Sequence, residues 1–147
     1  MEQRMSIVTV GVSDLARSKR FYSDALGWKP VDETDEIAFY NVGSIWLALY
    51  PNSSLADDVG QTIDAVATPV GGYRGFTLAQ NLGSRAEVDA LFVSLSSAGV
   101  TILKEPCEVF WGGYSGYFAD PDGNPWEVAY NPYWENDETG TPVLPSS

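Results

Sequence analysis

The chain has 147 residues, 44% hydrophobic and 13% aromatic, with 14 Gly and 9 Pro, an ordinary globular composition that excludes a disordered or fibrous protein. Twenty Asp and Glu stand against 8 Lys and Arg, a formal net charge of −12, which repels a phosphate backbone and argues against a nucleic-acid partner. There is no His and a single Cys, which removes Ser-His-Asp chemistry, Cys-His chemistry, His-based metal triads and any intramolecular disulfide.

Residues 6–12, SIVTVGV, are β-branched and apolar, the signal of a short strand. Ser13 or Asp14 can then cap a helix whose apolar residues Leu15, Phe21, Tyr22, Ala25 and Leu26 recur at helical spacing, with Gly27 stopping it. Two strands follow at about 36–42 and 44–50, joined at Gly43, and then a capped turn, SSLADD. Residues 59–75 mix Gly, Pro and small residues without sustained periodicity and read as a linker. Beyond it the order repeats. A strand at 76–82 leads to Ser84 as N-cap, with Glu87 three residues later as a capping box. The helix runs through Val88, Leu91, Phe92 and Leu95 to Gly99. A strand at 100–104 and a hairpin of 113–119 and 125–130 around DPDGN complete the second half, with Asp120 and Asp122 as turn formers. The tail 131–147 is acidic and proline-punctuated, expected to be mobile or draped on a partner.

The halves match residue by residue. An offset of 70 places Asp14 on Ser84, Phe21 on Leu91 and Tyr22 on Phe92. An offset of 80 places Trp46 through Tyr50 on Trp126 through Tyr130, both W-x-x-x-Y. The chain therefore reads as two copies of a β-α-β-β-β unit, 6–58 and 76–130, in one pseudo-symmetric α+β domain. The stretch V-G-V-S-D-L-A-R-S-K-R-F-Y-S-D-A-L-G-W at 10–28 resembles the opening of the glyoxalase/bleomycin-resistance/extradiol-dioxygenase (vicinal oxygen chelate) superfamily, and F-A-D-P-D-G-N-P-W-E-V at 118–128 resembles its closing hairpin. The resemblance implies two curved mixed sheets around a cup, with helices outside. It also implies a homodimer.

In that family four cup-facing positions, one on the first and one on the last strand of each module, usually hold a divalent metal as His or Glu. Carried over, they are Ile7, Leu47, Thr77 and Glu127. One strong ligand among Ile, Leu and Thr cannot hold Zn²⁺, Fe²⁺ or Mg²⁺, so the resemblance here implies no metal and no other cofactor. With Leu47 and Glu127 facing the cup, alternation sends Ile45, Leu49, Pro125 and Ala129 there too, and Trp46, Tyr50, Trp126 and Tyr130 to the helix-covered side. One of Phe39 and Tyr40 faces the cup; spacing does not say which.

On 113–119, Phe118 beneath the turn sends Ser115 and Tyr117 into the cup. In fosfomycin-resistance members of the family a Tyr and a Ser at this spacing contact the substrate. Glu127 would be a lone carboxylate in apolar surroundings, costly unless hydrogen-bonded, neutralised or paired with a cation. Trp111, beside the paired Gly112 and Gly113, either stacks on a ligand or packs as a lid. Arg74 is the one base between Lys29 and Arg85, and Cys107 lies between Glu105 and Glu108, a setting that opposes thiolate formation.

The ligand-binding set is thus Ile7, Leu47, Leu49, Thr77, Trp111, Ser115, Tyr117 and Glu127, with Glu127 and Tyr117 the catalytic candidates. The expected function is binding of a small aromatic, cationic molecule without a metal. The alternatives are a metal-independent enzyme of this family with Glu127 as acid/base, and a dimeric interaction module whose cup is unused. After Lys104 the chain carries eight acids and no base, an imbalance that serves solubility or steers a cationic ligand. No run approaches the roughly 18 apolar residues of a membrane span, and MEQRMSIV lacks the build of a signal peptide, so a cytoplasmic protein without membrane contact is expected.

Overall fold

Each half of the chain builds the same four-stranded mixed sheet from the same order of elements. The computed structural model describes residues 1, 3–61, 75–138 and 140–143, in two units, Met1–Gly75 and Phe76–Ser147. In the first unit, β1 (Ile7–Val12) leads into α1 (Leu15–Arg20), which continues as a π-helical turn, Phe21–Ala25. Asp14 rather than Ser13 is the cap, its Oδ1 accepting the Arg17 N–H at 2.9 Å. Strands β2 (Asp32–Glu33), β3 (Ala38–Asn41) and β4 (Trp46–Pro51) follow, then α2 (Asn52–Asp58). The sheet order is β1-β4-β3-β2, with β1 parallel to β4 and the other neighbours antiparallel.

In the second unit, β5 (Leu78–Asn81) leads to α3 (Arg85–Ser97), capped by Ser84 Oγ accepting the Glu87 N–H at 3.2 Å. Strands β6 (Thr101–Glu108), β7 (Tyr114–Ala119) and β8 (Pro125–Tyr130) complete a sheet of order β5-β8-β7-β6. Its connectivity repeats that of the first sheet, with β5 parallel to β8. The fold is α+β, two β-α-β-β-β modules. The sequence places the second helix and closing hairpin closely. It misses the two-residue β2, too short to show a period.

One segment differs from expectation and another lies outside the described residues. The tail is not merely a polar extension: β9 (Glu135–Asn136) pairs antiparallel with β10 (Pro142–Val143), around a turn in which Asp137 Oδ1 accepts the Thr141 N–H at 3.0 Å. The linker reading at 59–75, with Arg74, falls almost wholly outside the described residues, as do Glu2, Thr139 and 144–147. Among the described residues no helix is long and apolar enough to cross a membrane.

The core of the first unit combines aliphatic residues of β1, β3 and β4 with an aromatic cluster. Tyr22, from the helix, lies 5.7 Å from Tyr40 and 5.5 Å from Trp28, ring centre to ring centre. Tyr40 is 1% exposed, and its hydroxyl meets the geometry of a hydrogen bond with no partner among the described residues. Burial pushes this phenol above its usual pKa of 10, while its interaction with the Ser23 hydroxyl pulls the other way. An unfolded chain would ionise first, so stability falls as pH rises through 10 toward the folded-state pKa. Tyr40→Phe is therefore expected to hold or gain stability, by up to about 1 kcal/mol, and to flatten the alkaline decline. Urea unfolding between pH 8 and pH 11 checks both; a marked loss at pH 8 would show that the hydroxyl is well bonded.

Candidate functional site

Strand register fixes what each sheet face carries. In the first sheet Val8 and Tyr40 lie beside Leu47, and Val10 and Ala38 beside Leu49. This is the face against the helix: Leu47 is 2% exposed, Leu49, Val10 and Ala38 are buried, and Tyr40 meets Tyr22. The opposite face carries Ile7, Thr9, Trp46, Ala48 and Phe39. Ile7 is 47% and Trp46 41% exposed, with the Trp46 and Phe39 rings 5.8 Å apart.

The expectation for this strand is therefore corrected. Leu47 and Leu49 are core residues and Trp46 is not. The residue of β4 beside Ile7 on the open face is Trp46. Phe39 faces outward and Tyr40 inward, settling the pair that spacing left undecided.

In the second sheet the orientation is as expected. Trp126 and Phe118 stack at 6.2 Å with their planes 2° apart, and Phe92 of α3 packs against Gly116 so closely that a Cβ there would lie 2.6 Å from its ring. That face is helix-covered. The other carries a row across all four strands, Ala79, Glu127, Tyr117 and Lys104, in direct register. The next row is Asn81, Ala129, Ser115 and Cys107. Tyr117 and Glu127 are a cross-strand pair, their Cβ atoms about 5 Å apart in such a pair. Ser115 is buried, Tyr117 and Glu127 are half-buried, and Glu127 meets no base among the ion pairs of the described residues. Thr77 lies exposed just before β5, where the register gives Ala79 as the neighbour of Glu127.

Trp111 lies at the turn before β7. Its six-membered ring lies on Gly113, where a Cβ would overlap it, so the indole is packed yet still 37% exposed. Gly113 precedes β7 and alternates onto the side of Ser115 and Tyr117. Lys104 was not anticipated, because two irregularities shift the pairing of β6 with β7 and strict alternation cannot place it. Cys107 is free and exposed. Arg85 bridges to Glu108 and covers the Tyr114 ring at 5.5 Å, while the Tyr114 hydroxyl donates to Asp89 at 2.8 Å, an anchor that raises the phenol pKa. These belong to the helix side.

The positions that the family uses for metal do not fit one here. They supply an aliphatic Ile7, a core Leu47, a Thr77 hydroxyl and the single carboxylate of Glu127, and the outward residue Trp46 adds no donor. Among the described residues no three Cys, Asp or Glu side chains gather into a metal-binding group.

Comparison with known proteins agrees with this architecture. The family model of the Glyoxalase/Bleomycin resistance protein/Dioxygenase superfamily matches residues 4–128. A solved structure of a glyoxalase-related enzyme from Fulvimarina pelagi superposes with a TM-score of 0.86 and 34% identity, over 99% of this chain and 100% of that one. Metallothiol transferase FosB of Staphylococcus saprophyticus is 29% identical over 129 residues, 87% of this chain and 77% of the relative. Glutathione transferase FosA of Serratia marcescens is 30% identical over 128 residues, 87% of this chain and 81% of the relative. The chain belongs to the Glyoxalase/Bleomycin resistance protein/Dioxygenase superfamily.

Proposed function

We propose that this superfamily member binds a small aromatic, cationic molecule on the face of the second module's sheet opposite α3, without the divalent metal that its family commonly uses. One observation carries the reading: Glu127, half-buried and without a base among the described ion pairs, stands in register with Tyr117 on that face. A carboxylate so placed is stabilised by an arriving ammonium or guanidinium group. Ser115 and Tyr117 offer hydroxyls that both donate and accept, and Trp111 offers a flat apolar surface.

A second reading comes from the relatives named metallothiol transferase and glutathione transferase. There this chain would act on an electrophilic small molecule, with Glu127 as acid or base and Tyr117 as its hydrogen-bond partner. Glu127→Gln separates the two, because it removes the charge and keeps the shape. Calorimetric titration with a panel of aromatic amines is expected to show affinity falling at least about tenfold, the scale of a charge-assisted hydrogen bond. Affinity retained while thiol transfer to an epoxide is lost would overturn the binding reading in favour of the enzyme.

A further inference from the structure

The turn between β6 and β7 is closed by the Val109 N–H donating to the Gly113 carbonyl at 3.0 Å and the Gly112 N–H donating to the Val109 carbonyl at 2.9 Å. Tips of such tight hairpins ordinarily carry Asn, Asp or Gly. Here the tip residues are Phe110 and Trp111, and Phe110 is 102% exposed. Gly112, at φ +91°, seats a third ring: a Cβ there would lie 3.0 Å from the Tyr133 Oη and 3.5 Å from its Cε2. Gly113 seats Trp111. Tyr133 is set by its own N–H donating to Asn131 Oδ1 at 2.9 Å, and Trp134 follows it, also exposed. The two glycines thus serve as floor for aromatic side chains that contribute nothing to the helix-packed core and leave large apolar surfaces in water, an arrangement typical of a binding surface.

We infer that Phe110, Trp111, Tyr133 and Trp134 form an aromatic platform for an organic cation, extending the site of Glu127 and Tyr117 beyond the edge of the sheet. Ring faces carry the negative pole of the aromatic quadrupole and attract ammonium groups. The chain that carries the platform is acidic, with eight acids and no base in residues 105–147, of which Glu108 is paired with Arg85 and Glu135, Asp137 and Glu138 directly follow Trp134. Gly113 and Tyr117 are four residues apart on one strand face, about 13 Å, so a short cation occupies the platform without reaching Glu127. The inference deepens the proposed function and rests on it for the ligand class, while its own test reads the Trp111 and Trp134 signals and not affinity at Glu127.

The probes are phenyltrimethylammonium and its neutral isostere tert-butylbenzene, followed by NMR through indole N–H signals assigned with Trp→Phe variants. The cation is expected to shift the Trp111 and Trp134 signals at millimolar concentration and to bind about fivefold or more tightly than the isostere, the scale of a solvent-facing cation–π contact. Phe110→Ser with Tyr133→Ser should weaken the cation about fivefold or more. Gly113→Ala should displace the Trp111 signal and weaken it similarly, and Glu127→Gln should leave these shifts in place. Equal binding of cation and isostere, or shifts absent from Trp111 and Trp134, would overturn the platform. Loss of the shifts in Glu127→Gln would overturn its independence from the sheet site.

Discussion

Trp126→Ala is expected to lose about 3–5 kcal/mol of folding stability, seen as a large drop in the urea midpoint. The indole lies 6% exposed on β8, stacked on Phe118, on the sheet face where α3 contributes the buried Val88, Phe92 and Leu95. Strand β8 is hydrogen-bonded on both sides, to β5 and to β7, so its backbone cannot move in to fill the cavity. Against a total stability of about 5–15 kcal/mol the loss is a large fraction. Trp46→Ala, at the apparent counterpart in the first module, is expected to cost about 1 kcal/mol or less, because that ring stands 41% exposed. Equal losses in the two variants would mean that both indoles face their helices, as the shared W-x-x-x-Y pattern suggests.

That pattern misleads by one residue. Thr9 lies beside Ala48 and Ala79 beside Glu127. With Thr9 and Ala79 related by the offset of 70 seen in the helices, Ala48 and Glu127 are related by 79, not 80. Side chains alternate with a period of two, so a slip of one exchanges the faces. Two identical Trp and Tyr pairs made the wrong alignment the more attractive one. The physical signal against it was in the first module itself, where a second apolar set, Val8, Val10 and Val12, shares its strand side with Leu47 and Leu49.

The closing hairpin was legible because its turn anchors the register locally. Phe118 next to the DPDGN turn fixes which side of β7 meets the helix, and Tyr117, Ser115 and Glu127 follow onto the other side by alternation. Ala79 and Lys104, the outer members of the same row, were not legible. The first is brought in by a parallel pairing of distant segments, and the second by shifts in β6 that alternation does not contain. Trp111 was legible as a residue of interest, but its place on Gly113 depends on the fold of the turn. The aromatic partners Phe110 and Tyr133 had one signal in the sequence, bulky rings inside Gly- and Pro-containing turns, where small polar residues are usual.

Asp120→Ala is expected to cost about 2–4 kcal/mol, because it strips several bonds from one buried turn. Asp120 Oδ1 accepts the N–H groups of Asp122 at 3.0 Å and Asn124 at 2.9 Å, and Oδ2 accepts Asn124 Nδ2 at 2.9 Å. Asn124 is 0% exposed, so its amide has no water to turn to once the carboxylate is gone. The backbone bonds of the turn, Gly123 N–H to Asp120 O and Asp120 N–H to Asn124 O, remain but lose their brace. Asp120→Asn keeps an acceptor and should lose less. The turn sets the pairing of Tyr117 with Glu127, so weakening it also loosens the candidate site. Faster amide hydrogen exchange at β7 and β8 is expected alongside the stability loss, with exchange in the first module unchanged. A loss under about 0.5 kcal/mol, the range of ordinary surface substitutions, would show that the backbone turn alone holds the register.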